Sequence, residues 1–409
     1  MSRFTFDGRE IPYKPGDTIG SALHRADVKV ISRSLRYHRP RGLYCCTGSC
    51  ASCFVDVDGT PNVPACMRMA GDGAKVTSQN RIGSAQHDLL GVVDKVYRTG
   101  FDPHDAYTKS RVLNRIFNVG VRFLSGLGKA PPPETRLEGP RRHTVHVDEL
   151  IIGAGLHGLR RARDASKEGR KVLLVDEMPG LGGSARWDPA DHESRLLAQQ
   201  APHWSGVEAW TDALCFGLYP HERKDKPPIA AIRRRDTAGS FHPGDLWEVN
   251  ADRISVAPGR HDAWPIFDNN DLPGVLSLRG AMRLLGEHKV LPGRTIVGHG
   301  EALPKAFVAK LQDLDGHMVA QGTVEAARGG SQVTGARIKG AWVDCDAIVC
   351  NIPGTPRAEL FQQAGCKLGF PRGVLEPITL PSSDGKRSAS ANYGETTKPG
   401  VFALLGGVS

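Results

Sequence analysis

A chain of 409 residues that is 40% hydrophobic and 24% charged is long enough for two or three domains, and its composition excludes a disordered chain. The net charge of +9 is typical of proteins that bind nucleic acids. The basic residues, however, are dispersed in short clusters without stacking aromatics, such as Arg141–His143, Arg160–Arg161 and Arg233–Arg235. This dispersion favours a solvated surface or docking to an acidic partner subunit, and no nucleic-acid partner is predicted.

From the sequence pattern, neither a secretory leader nor a membrane span is expected. Met1–Asp7 contains no apolar core of a signal peptide, and no apolar run approaches the length of a membrane span. Five of the nine cysteines fall within residues 45–66, which indicates a metal site and a reducing compartment. We therefore predict a cytoplasmic protein. Cys345, Cys350 and Cys366 are expected to be buried packing residues.

The first elements are a hairpin and a short helix. Residues 4–13 alternate apolar and polar side chains around an Asp7-Gly8 turn, which predicts a β-hairpin. A helix is predicted over 19–26, with either Asp17 or Thr18 as its N-cap.

A cysteine-rich loop follows this helix. Cys45, Cys50, Cys53 and Cys66 form the pattern C-x4-C-x2-C-x12-C. The first two gaps match the plant-type spacing for a [2Fe–2S] cluster, which leaves the distance to the fourth cysteine open. Cys46 competes with Cys45 as the first ligand, but only Cys45 leaves a gap of four residues. The four cysteines are therefore predicted to bind the cluster.

The loop sequence suits this role. Gly48 permits a tight turn, and the small residues Ala51 and Ser52 leave room for a cluster. The alternative is a zinc site, which usually shows two C-x2-C pairs where this chain has one. With a further strand at 54–57, the order of elements predicts a β-grasp, ferredoxin-like [2Fe–2S] domain over residues 1–95.

A second domain, predicted over 144–409, follows a helical connector at 96–143. The apolar strand 147–152 runs into a glycine turn and a helix, which is the context that a dinucleotide-binding motif requires. The motif glycines have separate predicted roles, in the turn, the approach of the pyrophosphate and helix–strand packing; they are Gly153, Gly155 and Gly158. Three arginines in the following helix are unusual, and either face solvent or meet a partner; they are Arg160, Arg161 and Arg163.

The next strand ends in an acidic residue. Asp176 lies 23 residues after Gly153 and is predicted to accept a hydrogen bond from the adenosine ribose. Gly182 and Gly183 resemble the glycine pair of flavoproteins related to disulfide reductases, which favours FAD. NAD in the same site is the alternative, since both cofactors present an ADP group to this motif.

A second Rossmann-like unit is predicted at about 290–343. It repeats the strand, glycine turn and helix, but Leu303 stands where the third glycine is expected and Glu301 adds a negative charge. We interpret it as a scaffold that has lost its nucleotide, with a relaxed NAD site as the alternative. A strand over 342–350 is predicted to return the chain to the first sheet. The predicted fold is thus mixed, α+β in the ferredoxin-like domain and α/β in a two-Rossmann FAD/NAD-type domain.

Two segments carry a family resemblance. Residues 32–42 are similar to a segment near the start of the heterotetrameric sarcosine oxidase alpha subunit, and residues 100–131 look like the same family's linker. The cluster cysteines make the chain more similar to related amine and amino-acid dehydrogenase subunits. We interpret the Arg/His segment as a structural lid on the cysteine loop, in preference to a catalytic role for His38. The resemblance implies NAD as the nucleotide in sarcosine oxidase. The closing strand at 399–408 also fits, but the aminomethyltransferase-like domain that follows in that family is not expected here.

This resemblance implies an electron-transfer subunit of a multisubunit flavin-dependent amine or amino-acid oxidoreductase acting on CH–NH donors. A partner subunit with its own flavin would oxidise the substrate, small subunits could belong to the same complex, and the chain alone would be inactive. No residue here is predicted to act as a catalytic base. Two alternatives are a self-sufficient NAD(P)H-dependent ferredoxin-type reductase and a non-catalytic scaffold with a structural nucleotide.

Overall fold

The computed structural model describes residues 2–34, 37–92, 108–124, 139–188, 191–219, 221, 226–234, 244–370, 373–380 and 393–405. The chain divides into two compact units. The first comprises Met1–Thr135 and Trp264–Ile352, and the second comprises Arg136–Ala263 and Pro353–Ser409. The second Rossmann-like segment thus groups with the ferredoxin-like part, which the sequence did not indicate. The predicted boundaries at 95 and 143 stay predictions.

Seven α-helices are present in the described residues. In chain order, α1–α7 are Ile19–Arg25, Arg111–Leu124, Leu156–Lys167, His192–Gln200, Leu278–Gly286, Lys305–Gln312 and Glu359–Gln363. Short 3₁₀ turns lie at Leu89–Gly91, Gly183–Arg186 and Ala201–His203.

The strands are short except for two long central ones. Strands β1–β13 are Arg3–Phe6, Arg9–Pro12, Ser32–Arg33, Pro40–Arg41, Phe54–Val57, Thr60–Pro64, Lys75–Ser78, Arg142–Ile152, Val172–Val175, Val207–Trp210, Ala213–Tyr219, Ile229–Arg234 and Asp245–Val256. Strands β14–β26 are Arg260–His261, Val275–Ser277, Thr295–Gly300, His317–Gly322, Val324–Arg328, Gly335–Ile338, Ala341–Asp344, Ala347–Asn351, Thr355–Pro356, Leu368–Gly369, Glu376–Pro377, Tyr393–Glu395 and Val401–Leu404.

The first unit begins with a five-stranded mixed sheet in the order β2-β1-β7-β5-β6. The predicted hairpin β1–β2 is confirmed, since Asp7 and Gly8 both have positive φ, as a tight two-residue turn requires. Of the two candidate caps of α1, Thr18 is the N-cap, because its side chain accepts from Ser21 N and the Ser21 side chain accepts from Thr18 N. Strands β3 and β4 pair as a small separate hairpin.

The rest of the first unit holds a parallel sheet in the order β15-β21-β16-β17 and an antiparallel sheet of β18, β19 and β20. The predicted strand over 342–350 is wrong as a single element. It is two strands, because the chain turns at Cys345-Asp346, where Asp346 accepts from the amides of Arg294 and Thr295. Strand β20 joins the antiparallel sheet and β21 lies between β15 and β16, so neither returns to the sheet of the second unit.

The second unit is built on an eight-stranded sheet whose main path is β10-β9-β8-β13-β12-β11, with β26 pairing β13. Strand β8 starts at Arg142, earlier than the predicted start at Val147, because its first half pairs in parallel with β13. Strands β8 and β9 are parallel and α3 connects them, which forms a βαβ unit. Val401, in the predicted closing strand, is buried in the core of this sheet.

The arginines of α3 have partners within the chain. Arg161 forms a bidentate ion pair with Glu149. The carboxylate of Glu149 is fully buried in β8 and also accepts from Ser255 Oγ at 2.6 Å. Arg160 pairs at the surface with Glu193 of α4. The unusual arginine content of the helix therefore serves intrachain pairing.

No helix in the described ranges is long and apolar enough to cross a membrane. Some predictions fall wholly or partly outside those ranges. They are parts of the connector and of the family-like linker, the proline run Pro131–Pro133, and the end of the closing segment after Leu405.

Candidate functional site

The cysteine loop turns tightly because several of its residues adopt the left-handed conformation. Cys46, Gly48 and Ala51 have φ of 51°, 76° and 54°. Cys45 and Cys53 are buried, whereas Cys50 is half-buried at the exposed tip of the loop. An added Cβ at Gly48 would lie 3.0 Å from Met67 Cγ, so glycine there gives both the turn and the close approach.

The four predicted ligand thiols come together as two neighbouring pairs. Cys50 donates a hydrogen bond to Cys45, which lowers the pKa of Cys45 to about 5, and the same bond raises the pKa of Cys50. Cys53 donates to Cys66, and this bond, followed by burial, raises the pKa of Cys53. The thiol of Cys50 is also close enough to Cys53 for their charges to interact.

This donor set fits a two-iron cluster. Four cysteine thiolates hold a [2Fe–2S] cluster, and tetrahedral irons that share two sulfides leave two thiolate positions on each. Among the described residues, no three metal-binding side chains meet at a single point. The backbone amide of Thr47 donates to Cys45 Sγ at 3.4 Å, a contact that would stabilise a thiolate. The binding role of Cys45, Cys50, Cys53 and Cys66 itself stays a prediction.

The small hairpin β3–β4 packs on the loop, in agreement with a lid role. Ser32 Oγ donates to the carbonyl of Ser52 at 3.3 Å. His38, between the two strands, is buried with Nδ1 2.7 Å from the carboxylate of Asp88. Arg33 Nη1 donates to the carbonyl of His38 at 3.0 Å. These contacts favour a structural over a catalytic role for His38.

The glycine turn after β8 lies in the second unit. Gly153 has φ of 98°, and an added Cβ would lie 2.1 Å from the carbonyl oxygen of Ala257. At Gly158 a Cβ would lie 1.8 Å from the carbonyl oxygen of Gly153, so the helix packs on the turn only with glycine there. At Gly155 a Cβ would meet no atom within 4 Å. Gly153 and Gly158 are thus required by the fold, whereas Gly155 faces open space.

That open space suits an anionic group. Gly155 is the N-cap of α3, and no side chain forms a capping hydrogen bond there. Amides of the first helical turn are therefore left for a ligand. The Gly182-Gly183 turn closes on the glycine loop, because Gly182 N donates to the carbonyl of Ala154 at 2.9 Å. A Cβ at Gly183 would lie 2.9 Å from Gly155 Cα.

Asp176 ends β9 beside the same loop, but its carboxylate already has backbone partners. Its two oxygens accept from Ala154 N at 2.7 Å and from Met178 N at 2.8 Å. Burial raises the pKa of Asp176 to about 6, against the lowering effect of these two bonds. Each oxygen has a second lone pair, so a bond from a ribose hydroxyl is compatible with this position and stays a prediction.

Two arginines that the sequence reasoning missed lie next to this turn. They are Arg186 and Arg195, and they line an open depression together with Leu181, Gly182, Ala198 and Gln199. Arg186 also interacts electrostatically with Asp176. Only the position of Arg186, three residues after Gly183, hinted at it.

The second glycine turn, at the end of β16, is occupied by protein atoms. The side chain of Gln321 donates to the carbonyls of Gly300 and Glu301 at 3.3 and 3.0 Å. An added Cβ at Gly298 would lie 2.0 Å from Gln321 Oε1. Leu303, in place of the third glycine, is buried. This filling supports the interpretation of a scaffold without nucleotide.

Comparison with known proteins agrees with the two sites. Residues 1–81 match the 2Fe-2S iron-sulfur cluster binding domain and residues 151–208 match the NAD(P)-binding Rossmann-like domain. A cluster and a flavin or nicotinamide nucleotide are therefore the indicated cofactors.

The chain is 32% identical over 312 residues to the sarcosine oxidase subunit alpha of Rhizobium meliloti (strain 1021), covering 71% of this chain and 31% of that protein. It is 27% identical over 398 residues to the sarcosine oxidase subunit alpha of Corynebacterium sp. (strain P-1), covering 91% and 35%. It thus spans about a third of the length of these relatives.

Among solved structures, the L-proline dehydrogenase from P. horikoshii superposes with a TM-score of 0.67 at 20% identity, covering 93% of this chain and 65% of that one. This likeness shows the fold alone. The matched domain families give its order, a 2Fe-2S domain followed by a Rossmann-like NAD(P)-binding domain. The chain is thus a homologue of the sarcosine oxidase alpha subunits, and carries the predicted cysteines of a [2Fe–2S] cluster.

Proposed function

We propose that this chain is the electron-transfer, alpha-type subunit of a multisubunit flavin-dependent amine or amino-acid oxidoreductase. The observation that carries the proposal is the meeting of two thiol pairs, Cys45 with Cys50 and Cys53 with Cys66, in a loop with plant-type spacing. A bound [2Fe–2S] cluster supplies one-electron transfer. The loop holds the four ligands, and its amide at Thr47 is directed at Cys45 Sγ.

The nucleotide site of the second unit supplies the other redox partner in this proposal. The open space at Gly155 and the uncapped start of α3 support an adenine dinucleotide with its pyrophosphate at that point. FAD in this site allows electrons to pass between a two-electron carrier and the one-electron cluster, whereas NAD in the same site passes a hydride. We favour FAD on the strength of the Gly182-Gly183 turn.

Substrate oxidation is assigned to a partner. The proposal places a flavin-bearing catalytic subunit, acting on a CH–NH donor, in a hetero-oligomer with this chain, because no residue here is predicted to act as a base toward a substrate. It also places the chain in the cytoplasm, where thiolate ligands remain reduced. None of the nine cysteines, all of which are described, forms a disulfide.

The test is an anaerobic absorption spectrum of the purified chain, EPR of the dithionite-reduced sample, and mass identification of the released nucleotide. We expect a [2Fe–2S] signal and FAD. Cys50→Ser should abolish the signal, whereas Cys46→Ser, the matched control one residue from Cys45, should retain it.

The outcomes separate the rivals. A cluster with NAD, or with no nucleotide, would favour a scaffold subunit. Oxidation of NAD(P)H by the isolated chain with a ferredoxin as acceptor would favour a self-sufficient reductase, against which the filled second glycine turn counts. Absence of any cluster signal after anaerobic reconstitution would overturn the proposal.

A further inference from the structure

A buried arginine of α5, the helix that precedes the second Rossmann-like segment, contacts the cysteine loop. The side chain of Arg283, in α5, is 2% exposed. Its Nη1 donates to the carbonyl of Cys46 and lies 3.3 Å from Met67 Sδ. Cys46 follows Cys45 and Met67 follows Cys66, so one guanidinium contacts the residue after a ligand in each thiol pair.

The start of the same helix packs directly against the loop. Ser277 is the N-cap of α5, and its side chain accepts a hydrogen bond from Gly280 N. Its own amide donates to the carbonyl of Tyr44 at 3.2 Å. An added Cβ at Gly280 would lie 2.1 Å from that carbonyl oxygen and 3.2 Å from the carbonyl carbon of Cys45. The positive end of the helix is therefore next to the first ligand.

We propose that the positive charge of Arg283 and the positive end of α5 raise the reduction potential of the cluster. This inference rests on the proposed function, because it requires a cluster on the four cysteines. Reduction adds one negative charge, and a buried cation stabilises the more negative state more strongly than the oxidised one. Arg283 acts through this field and is a positioning residue.

The neighbouring carboxylate makes the effect testable in both directions. Glu287 accepts from Nε of Arg283 at 2.9 Å, whereas Nη1 of the same guanidinium faces the cysteine loop. The side chain of Glu287 is 22% exposed, so its opposing field is partly screened by water. Removing the cation and removing the carboxylate should therefore shift the potential in opposite directions.

The test is an EPR-monitored redox titration of the full chain after anaerobic reconstitution, with iron and sulfide measured per chain. We expect Arg283→Gln to lower the equilibrium constant for reduction by at least about tenfold. Glu287→Gln should raise it by a smaller factor, and Arg283→Lys should retain most of the wild-type value. Arg294→Gln, which removes an exposed charge in the same unit, is the matched control and should leave it unchanged.

Each outcome decides between the alternatives. If Arg283→Gln fails to retain the cluster, the rise in Glu287→Gln still tests the inference. Shifts of the same sign in both variants, or no shift at full cluster content, would overturn it while leaving the proposed function intact. A wild-type chain without a cluster would instead overturn the proposed function.

Discussion

The glycine turn of the second unit offers a test that separates nucleotide binding from folding. A methyl group added at Gly155 would meet no protein atom within 4 Å, and the residue has φ of −77° and ψ of −172°, which alanine adopts without strain. Gly155→Ala should therefore leave the unfolding temperature of the nucleotide-free chain unchanged. If the pyrophosphate approaches the backbone there, the methyl group occupies its position, and the affinity should fall at least about tenfold, or ~1.4 kcal/mol.

Gly158→Ala is the contrasting variant. Its methyl group would lie 1.8 Å from the carbonyl oxygen of Gly153, a backbone atom that cannot move without displacing α3 or the turn. We expect this variant to lose both stability and nucleotide, with a cost of roughly 1–3 kcal/mol from overpacking. The two variants differ by one methyl group each and sit three residues apart.

The assay combines differential scanning fluorimetry of the nucleotide-free variants with isothermal titration of FAD and of NAD. Wild-type affinity in Gly155→Ala, at unchanged unfolding temperature, would refute a pyrophosphate at this turn. A large loss of stability in Gly155→Ala would refute the open space on which the reasoning depends.

Two further predictions concern the buried charges of the second unit. Glu149→Ala should reduce the free energy of unfolding by about 3 kcal/mol, because it leaves the guanidinium of Arg161, whose side chain is 11% exposed, without its buried carboxylate. In urea unfolding, the control Arg160→Ala should cost less than about 1 kcal/mol, since its pair with Glu193 is exposed on both sides; equal losses would contradict the prediction. Burial raises the pKa of Asp176 to about 6 from 3.8, so the folded chain binds more protons than the unfolded chain between those values, and stability should fall as pH rises through that range. Asp176→Asn should remove on the order of 3 kcal/mol of that pH dependence; identical pH profiles of unfolding temperature would show that this carboxyl does not titrate abnormally.

Local features were predictable because their causes lie within a few residues. The Asp7-Gly8 turn, the helix after Thr18 and the glycine turn at Gly153 each depend on backbone conformations that the local residues favour. The spacing of the cysteines likewise places several thiols in one loop. The choice between Asp17 and Thr18 as the N-cap was left open, because both are good caps at adjacent positions.

Features that depend on distant segments were not predictable. Cys345-Asp346 separates two strands that the sequence pattern joined, because Asp346 binds amides some fifty residues earlier in the chain. The two backbone amides that donate to the carboxylate of Asp176 were likewise not predictable, while its bond to a ribose hydroxyl stays a prediction. Nothing local to Arg161 indicates that a buried glutamate lies opposite it.

By itself, the sequence determined the chemistry available to this protein: four suitably spaced thiols, a glycine turn between strand and helix, and a homologous family. Only the tertiary structure decided that the cysteine loop packs on α5, where the buried Arg283 donates to the carbonyl of Cys46, and that Gln321 fills the second glycine turn. The physical reason is that residue type and spacing act along the chain. Burial and the field around a site depend instead on which distant segments pack together.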